Sequence, residues 1–265
     1  MKIFVVFGSN SDEGTYAPLI EELKKAGEVE FAVISAHRNL EELQAKLKSW
    51  NGDVIVAGAG LAAALPGVCA SISDKPVFGV SVMAHFGGLD ALASIAQMPF
   101  GMPVLTSGAG QEKNIAAFLL RYQEFLQKEQ PRLHFVLPPF AAEEDYAKAE
   151  FARAGTLAEE KGWHVTEGSK YAGDAFNIIY VTEDADILPD VLGAHVPLFS
   201  KEAIQKPENY LKIYNWAQKG GLWVGANNSR NAVLAAERLF KNATEENRER
   251  ENHDTITGDS VSRIG

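Results

Sequence analysis

Residues 2 to 12 read KIFVVFGSNSD: five apolar side chains from Ile3 to Phe7 without a break, then glycine, serine, asparagine, serine and aspartate. A strand with one wet face alternates polar and apolar residues, whereas an unbroken apolar run belongs to a strand covered on both faces, as in a parallel sheet. The polar stretch that follows ends the strand, and from residue 14 to 26 Leu19, Ile20 and Leu23 recur at helical spacing. The same rhythm continues. A strand is predicted at 29–34 (VEFAVI), then a helix at 39–49 opened by Asn39 with Glu42 three residues on, the spacing of an N-cap pair. Next come a strand at 53–57, a helix of small residues at 61–73, a strand at 76–82, a segment at 88–97, a strand at 102–107 and a helix at 112–127. Strands buried on both faces and joined by helices predict an open, parallel, three-layer α/β sheet. Ligands of such sheets sit beyond the carboxyl ends of the strands.

Composition narrows the function classes. With 265 residues, 46% of them hydrophobic, the chain is long enough for one large core or two ordinary ones. A formal charge of −10 argues against nucleic acid or an anionic membrane as partner, because neither polyanion is drawn to a negative field. No apolar run approaches the roughly 18 residues of a membrane span, and the start MKIFVVFGS lacks the basic region of a signal peptide, so a cytoplasmic location is expected. The lone Cys69, in LPGVCASI, reads as a small buried hydrophobe.

Three consecutive strand ends are chemically loaded. After the first stand Gly8, Ser9, Asn10, Ser11 and Asp12: hydroxyls to donate to an anion and a carboxylate to accept from sugar hydroxyls, ahead of a helix start. After the second stand Ser35, Ala36, His37 and Arg38, and after the third the run from Gly58, Ala59 and Gly60 through Leu61 to Leu65, Pro66 and Gly67, whose lack of bulk lets a ligand approach the backbone. Together they describe a pocket for a phosphorylated sugar. His37 is its one protonatable ring, and imidazole is the side chain suited to proton transfer at neutral pH.

GSNSD (8–12), SAHR (35–38), GAGLAAALPG (58–67) and SIAQMPFGMPV (94–104), in this order, resemble the N5-carboxyaminoimidazole ribonucleotide mutase (PurE, AIR carboxylase) family of purine biosynthesis, in its class I form, over residues 1 to about 128. The resemblance implies an isomerase or lyase that shifts a carboxylate from N5 to C4 of an imidazole ribonucleotide, with neither metal nor organic cofactor. By motif, Ser9, Ser11, Asp12, Ser35 and Arg38 hold phosphate and ribose, Gly8, Ala36, Gly58, Ala59, Gly60 and Leu65 complete the binding wall, and His37 carries the proton. The chain departs from the family pattern GAGGAAHLPG at Leu61 and at Ala64, where the family has glycine and histidine. That departure favours two variants of the reading, direct use of CO2 or nucleotide binding without turnover, and raises His85 as a replacement imidazole. Two other classes fit less of the chain. GAGLAA satisfies a dinucleotide fingerprint, but on the third strand and with no acid ending the next; a flavodoxin-like FMN carrier explains GSNSD but not SAHR or QMPFGMPV.

Residues 133 to 240 repeat the first rhythm in eroded form: HFVLPPF (134–140) answers IFVVFGS, NIIYV (177–181) answers DVIVA, and SRNAVLAAERLF (229–240) answers EKNIAAFLLRYQ (112–123). PPFAAEED and TEDADILPD replace the site loops with residues that repel phosphate, and nothing near Ser169, Lys170 and Tyr171 matches SAHR. The expected organisation is a catalytic domain at 1–130, a degenerate, structural or regulatory copy at 131–241 closed to the nucleotide, a hinge near Gln127 to Arg132, and a mobile polar tail at 242–265. For a regulatory copy, the loop 225–229 (GANNS) is the candidate. As the family resembles closed octamers, a homotetramer of two-domain chains is expected.

Overall fold

A computed structural model describes residues 1–127, 131–183 and 187–241. The expected hinge lies partly, and the expected tail wholly, outside them. In the first half, β1 (Lys2–Phe7), β2 (Glu28–Val33), β3 (Val54–Ala59), β4 (Val77–Ser81) and β5 (Leu105–Ser107) alternate with α1 (Glu13–Leu23), α2 (Leu40–Ser49), α3 (Leu65–Ile72), α4 (Leu89–Ala96) and α5 (Lys113–Leu126). In the second, β6 (Leu133–Val136), α6 (Asp145–Glu160), β7 (Val165–Gly168), β8 (Phe176–Val181), β9 (Gly193–Pro197), α7 (Glu208–Ala217) and β10 (Leu222–Trp223) lead to α8, residues 229–241.

The ten strands among the described residues form one sheet, in the order β2-β1-β3-β4-β5-β10-β9-β8-β6-β7. Within each half every pairing is parallel; β5 and β10 alone are antiparallel, through Leu222 opposite Ser107 and Trp223 opposite Thr106. Read outward from that central pair, the halves are β5-β4-β3-β1-β2 and β10-β9-β8-β6-β7, the same order with every number raised by five. The predicted pair of parallel sheets is thus joined edge to edge. Because the central pair is antiparallel, the carboxyl ends of the two halves point in opposite directions.

The unbroken apolar run of β1 is buried from Ile3 to Phe7, which is what a strand between two helical layers requires. On one face, side chains of α1, α5, α6 and α8 share a single apolar cluster that crosses both halves and includes Leu19, Leu119, Phe118, Phe176, Ala154 and Phe240. On the other, Leu43, Leu47, Leu65, Cys69 and Ile95 cover the first half, while Ile213, Trp216, Phe199 and Trp223 cover the second. Burial pushes the Cys69 thiol up to about 12, so it is inert packing.

Three local readings change. The helix expected from residue 61 begins at Leu65, because Ala62 takes a left-handed conformation (φ 47°) that interrupts it. Asn39 precedes α2 as expected, but its amide donates to the Glu42 carboxylate (3.1 Å) and caps no backbone N–H. Gly58 lies inside β3, and a side chain there would collide with the Phe7 ring, 2.2 Å from Cε1. It is therefore a packing glycine.

Candidate active site

At the carboxyl ends of β1, β2 and β3 lies a cavity of about 340 Å³ lined by the loops that follow those strands, with Ala84 from the segment after β4. Gly8, Ser9, Ser11 and Asp12 enter it from the first loop, Ser35, Ala36, His37 and Arg38 from the second, and Ala59, Gly60 and Leu65 from the third. Of the residues to which the family resemblance gives a role in holding the nucleotide, only Gly58 is missing from the lining, held beneath Phe7 as described. Leu61, Ala62 and Ala64 of the same small-residue run also stand in the wall, and the structure adds Ala84. Position alone signalled Ala84, since it follows the end of a fourth strand.

The first loop is ordered by its own hydroxyls. Ser9 is extended (φ −154°) and its Oγ accepts from the Ser11 backbone N–H (3.2 Å), while the two hydroxyls lie 2.8 Å apart. Ser11 in turn donates to Asp12 at 3.4 Å. Partial removal from water raises the Asp12 carboxyl above its ordinary range, against a smaller lowering by the Ser11 hydroxyl, so a sugar hydroxyl donated to it replaces water already lost. Gly8 has open space where a side chain would stand, so its contribution here is room.

A tight turn presents the second loop: the N–H groups of Arg38 and Asn39 both donate to the Ser35 carbonyl, at 3.2 and 2.8 Å. His37 and Arg38 are exposed, and both line the cavity. The third loop supplies an apolar wall. A side chain on Gly60 would stand 3.0 Å from the Ala84 Cβ, so glycine lets this wall close. One end of the cavity therefore offers hydroxyls, the Arg38 guanidinium and the Asp12 carboxylate, groups suited to an anion and a sugar, and the other is apolar. His85 does not line it; exposed itself, it begins a turn in which Phe86, Gly87 and Gly88 are all left-handed. Among the described residues no cluster of His, Cys, Asp and Glu is built to hold a metal, and no helix is long and apolar enough to cross a membrane.

At the opposite edge of the sheet, the ends of β6, β8 and β9 border a cavity of about 530 Å³. The second half therefore has a cavity of its own there, with different chemistry: Phe140, Tyr146, Phe199 and Trp216, with Lys206 and with Lys212 paired to Glu183. The loop 225–229 does not border it; the Asn227 side chain accepts from the Phe199 N–H (2.9 Å) and donates to the Phe199 carbonyl (2.8 Å).

Comparison with known proteins matches residues 2–132 to the family model described as AIR carboxylase. An N5-carboxyaminoimidazole ribonucleotide mutase of Methanocaldococcus jannaschii is 41% identical over 143 residues, covering 48% of this chain and 91% of that protein. The proteins of the same name from Saccharolobus solfataricus and Pyrococcus abyssi are 42% and 39% identical, covering 48% and 61% of this chain and 84% and 92% of theirs. A crystal structure of Treponema denticola PurE aligns with a TM-score of 0.41 at 21% identity, over 61% of this chain and 96% of that one.

Proposed function

Because the chain belongs to the AIR carboxylase family through its first half, we propose that the first-half cavity binds a phosphorylated imidazole ribonucleotide and moves a carboxylate from N5 of its base to C4, in purine biosynthesis. The observation that carries this reading is one cavity holding the Ser9, Ser11 and Asp12 loop, His37 beside Arg38, and a wall of small residues. Arg38 and the hydroxyls of Ser9, Ser11 and Ser35 hold the phosphate, Asp12 accepts from the ribose, and Ala36, Ala59, Gly60 and Leu65 flank the base. Protonated His37 gives its proton to N5 as the N–carboxyl bond breaks and CO2 leaves. The C4 carbon of the aminoimidazole then attacks the trapped CO2, and His37 takes the C4 proton as the ring regains aromaticity. Arg38, next in the chain, fixes the nucleotide so that this one imidazole reaches both atoms.

The second half is a degenerate copy of the first. Its matching strand order and its eroded loops support that descent. Its role is structural, and four such chains take the place of eight single-domain subunits in the cytoplasm. Leu61 and Ala64 favour a second reading, in which the apolar end receives CO2 directly and the uncarboxylated nucleotide is the substrate. Assaying the purified chain with N5-carboxylated nucleotide, and separately with aminoimidazole ribonucleotide plus bicarbonate, tests both. Faster turnover of the first supports the mutase, faster turnover of the second supports the carboxylase, and binding without either reaction refutes catalysis.

A further inference from the structure

The second half grips the first behind the site. The side chain of Asn231, in the first turn of α8, accepts from the Gly101 N–H (3.0 Å) and donates to the Pro99 carbonyl (3.0 Å). Asn228 donates to the Met98 carbonyl (2.8 Å), and the Arg230 guanidinium lies over the Phe100 ring, 4.0 Å from its centroid. Residues 98–101 are thus fixed in a conformation that requires left-handed Gly101 (φ 96°). Met98, so held, packs on α3: its Cε and Sδ stand 2.9 and 3.1 Å from where a side chain on Gly67 would begin. Gly67 lies in the first turn of α3, two residues after Leu65 of the cavity wall. Arg238 of α8 also donates to the Ala70 carbonyl in the last turn of α3, at 3.2 and 3.3 Å.

The corresponding residue of the other half does not do this. Asn114 occupies the first turn of α5 and faces the second half, its Nδ2 being 3.3 Å from where a side chain on Gly220 would begin. Yet that Nδ2 is buried with no hydrogen-bond partner in the described chain. Of two equivalent asparagines, the one with both its bonds made is the one whose loop packs behind the first-half cavity.

We infer that Asn231 is a positioning residue for the first-half site: through residues 98–101 and Met98 it sets α3, and with it the wall formed by Ala64 and Leu65 against the base. This rests on the carboxylate-shifting reading for its kinetic consequence, but its structural consequence stands alone. Steady-state kinetics of the full chain carrying Asn231→Ala are expected to show kcat roughly tenfold to a hundredfold lower, the scale of a displacement near 1 Å. KM should stay within about threefold, because phosphate and ribose are held by the loops after β1 and β2. Asn114→Ala should match the parent. Asn231→Asp, which retains an acceptor for Gly101 but no donor for Pro99, should fall between and serves if the alanine variant does not fold. Hydrogen exchange of the α3 amides, read by mass spectrometry on the same proteins, should quicken with Asn231→Ala or Asn231→Asp and not with Asn114→Ala. Parent-like kcat and exchange in the folded Asn231 variants, or equal losses in Asn114→Ala, overturn the inference. If the parent itself turns over neither substrate, the function fails and the exchange result alone decides the positioning.

Discussion

The two edges of this sheet are made by the same order of strands and end in unlike chemistry. At the first-half edge, hydroxyl and small-residue loops lead into α1, α2 and α3. At the second-half edge the strands are all present, but no helix joins β7 to β8, and none occurs among the described residues between β8 and β9. The missing elements are the counterparts of α2 and α3, which in the first half follow the SAHR and GAGLAAALPG loops. Parallel strands bring loop ends together; whether that gathering binds an anion depends on what the loops carry and on the helix starts behind them. Imidazoles make the same point. His37 is exposed on a cavity loop, whereas His134 and His195 are buried in the second half and fully engaged. His134 lies 2.8 Å from the Thr166 hydroxyl and 2.9 Å from the Lys170 carbonyl. His195, stacked on Trp223, accepts at Nε2 from the Leu188 N–H, which places its proton on Nδ1, 3.2 Å from the Leu222 carbonyl.

The largest effect that bears on this contrast is expected from His37→Asn. It should lower interconversion of the carboxylated nucleotides by about 10² to 10⁴, the contribution of a placed acid and base, while calorimetry finds nucleotide affinity within about threefold of the parent. Undiminished turnover would remove the difference between the two kinds of imidazole.

The buried imidazole should show itself in stability. Desolvation pushes His195 from 6.5 down to about 4, a hydrogen bond to Leu222 opposing it only in part. Between those values the unfolded chain binds a proton that the folded chain refuses. The stabilisation is therefore complete above pH 6.5 and is lost as pH falls toward 4, by up to about 3 kcal/mol. Urea midpoints across this range should drop, and the His195 ring should stay neutral by NMR until near the bottom of it. A His195 signal titrating near 6.5 in the native protein would contradict its sealed environment.

Most of the first-half edge was legible in the sequence, because strand and loop there have opposite compositions: the apolar run of β1 ends where Gly8 begins, and SAHR interrupts two periodic segments. Gly58 reads as loop because it stands beside Ala59 and Gly60, whereas the strand continues through Ala59 and Phe7 demands the missing side chain. Leu61 to Ala64 have helix-compatible side chains, so the start of α3 at Leu65 has no signal in the sequence; the left-handed backbone at Ala62 sets it. Neither the two-residue β10 nor its antiparallel meeting with β5 leaves a periodicity to detect. The grip of Asn231 did leave a trace: Asn114 and Asn231 fall at matching positions when the two halves are aligned, each near the start of its helix.

A smaller effect sharpens the anion end. Arg38→Ala should weaken nucleotide binding by about 1.5 to 3 kcal/mol, roughly tenfold to 150-fold in Kd, as for loss of a charge-assisted contact. Unchanged affinity in a titration would move the phosphate away from this loop.

The most direct test is a crystal structure of the full chain grown with aminoimidazole ribonucleotide. Density is expected in the first-half cavity alone, phosphate against Arg38 and the Ser9 and Ser11 hydroxyls, with C4 of the base within reach of His37. Nucleotide lodged among Phe140, Phe199 and Trp216 at the opposite edge, with the first-half cavity holding none, would contradict the assignment of the chemistry to the first half.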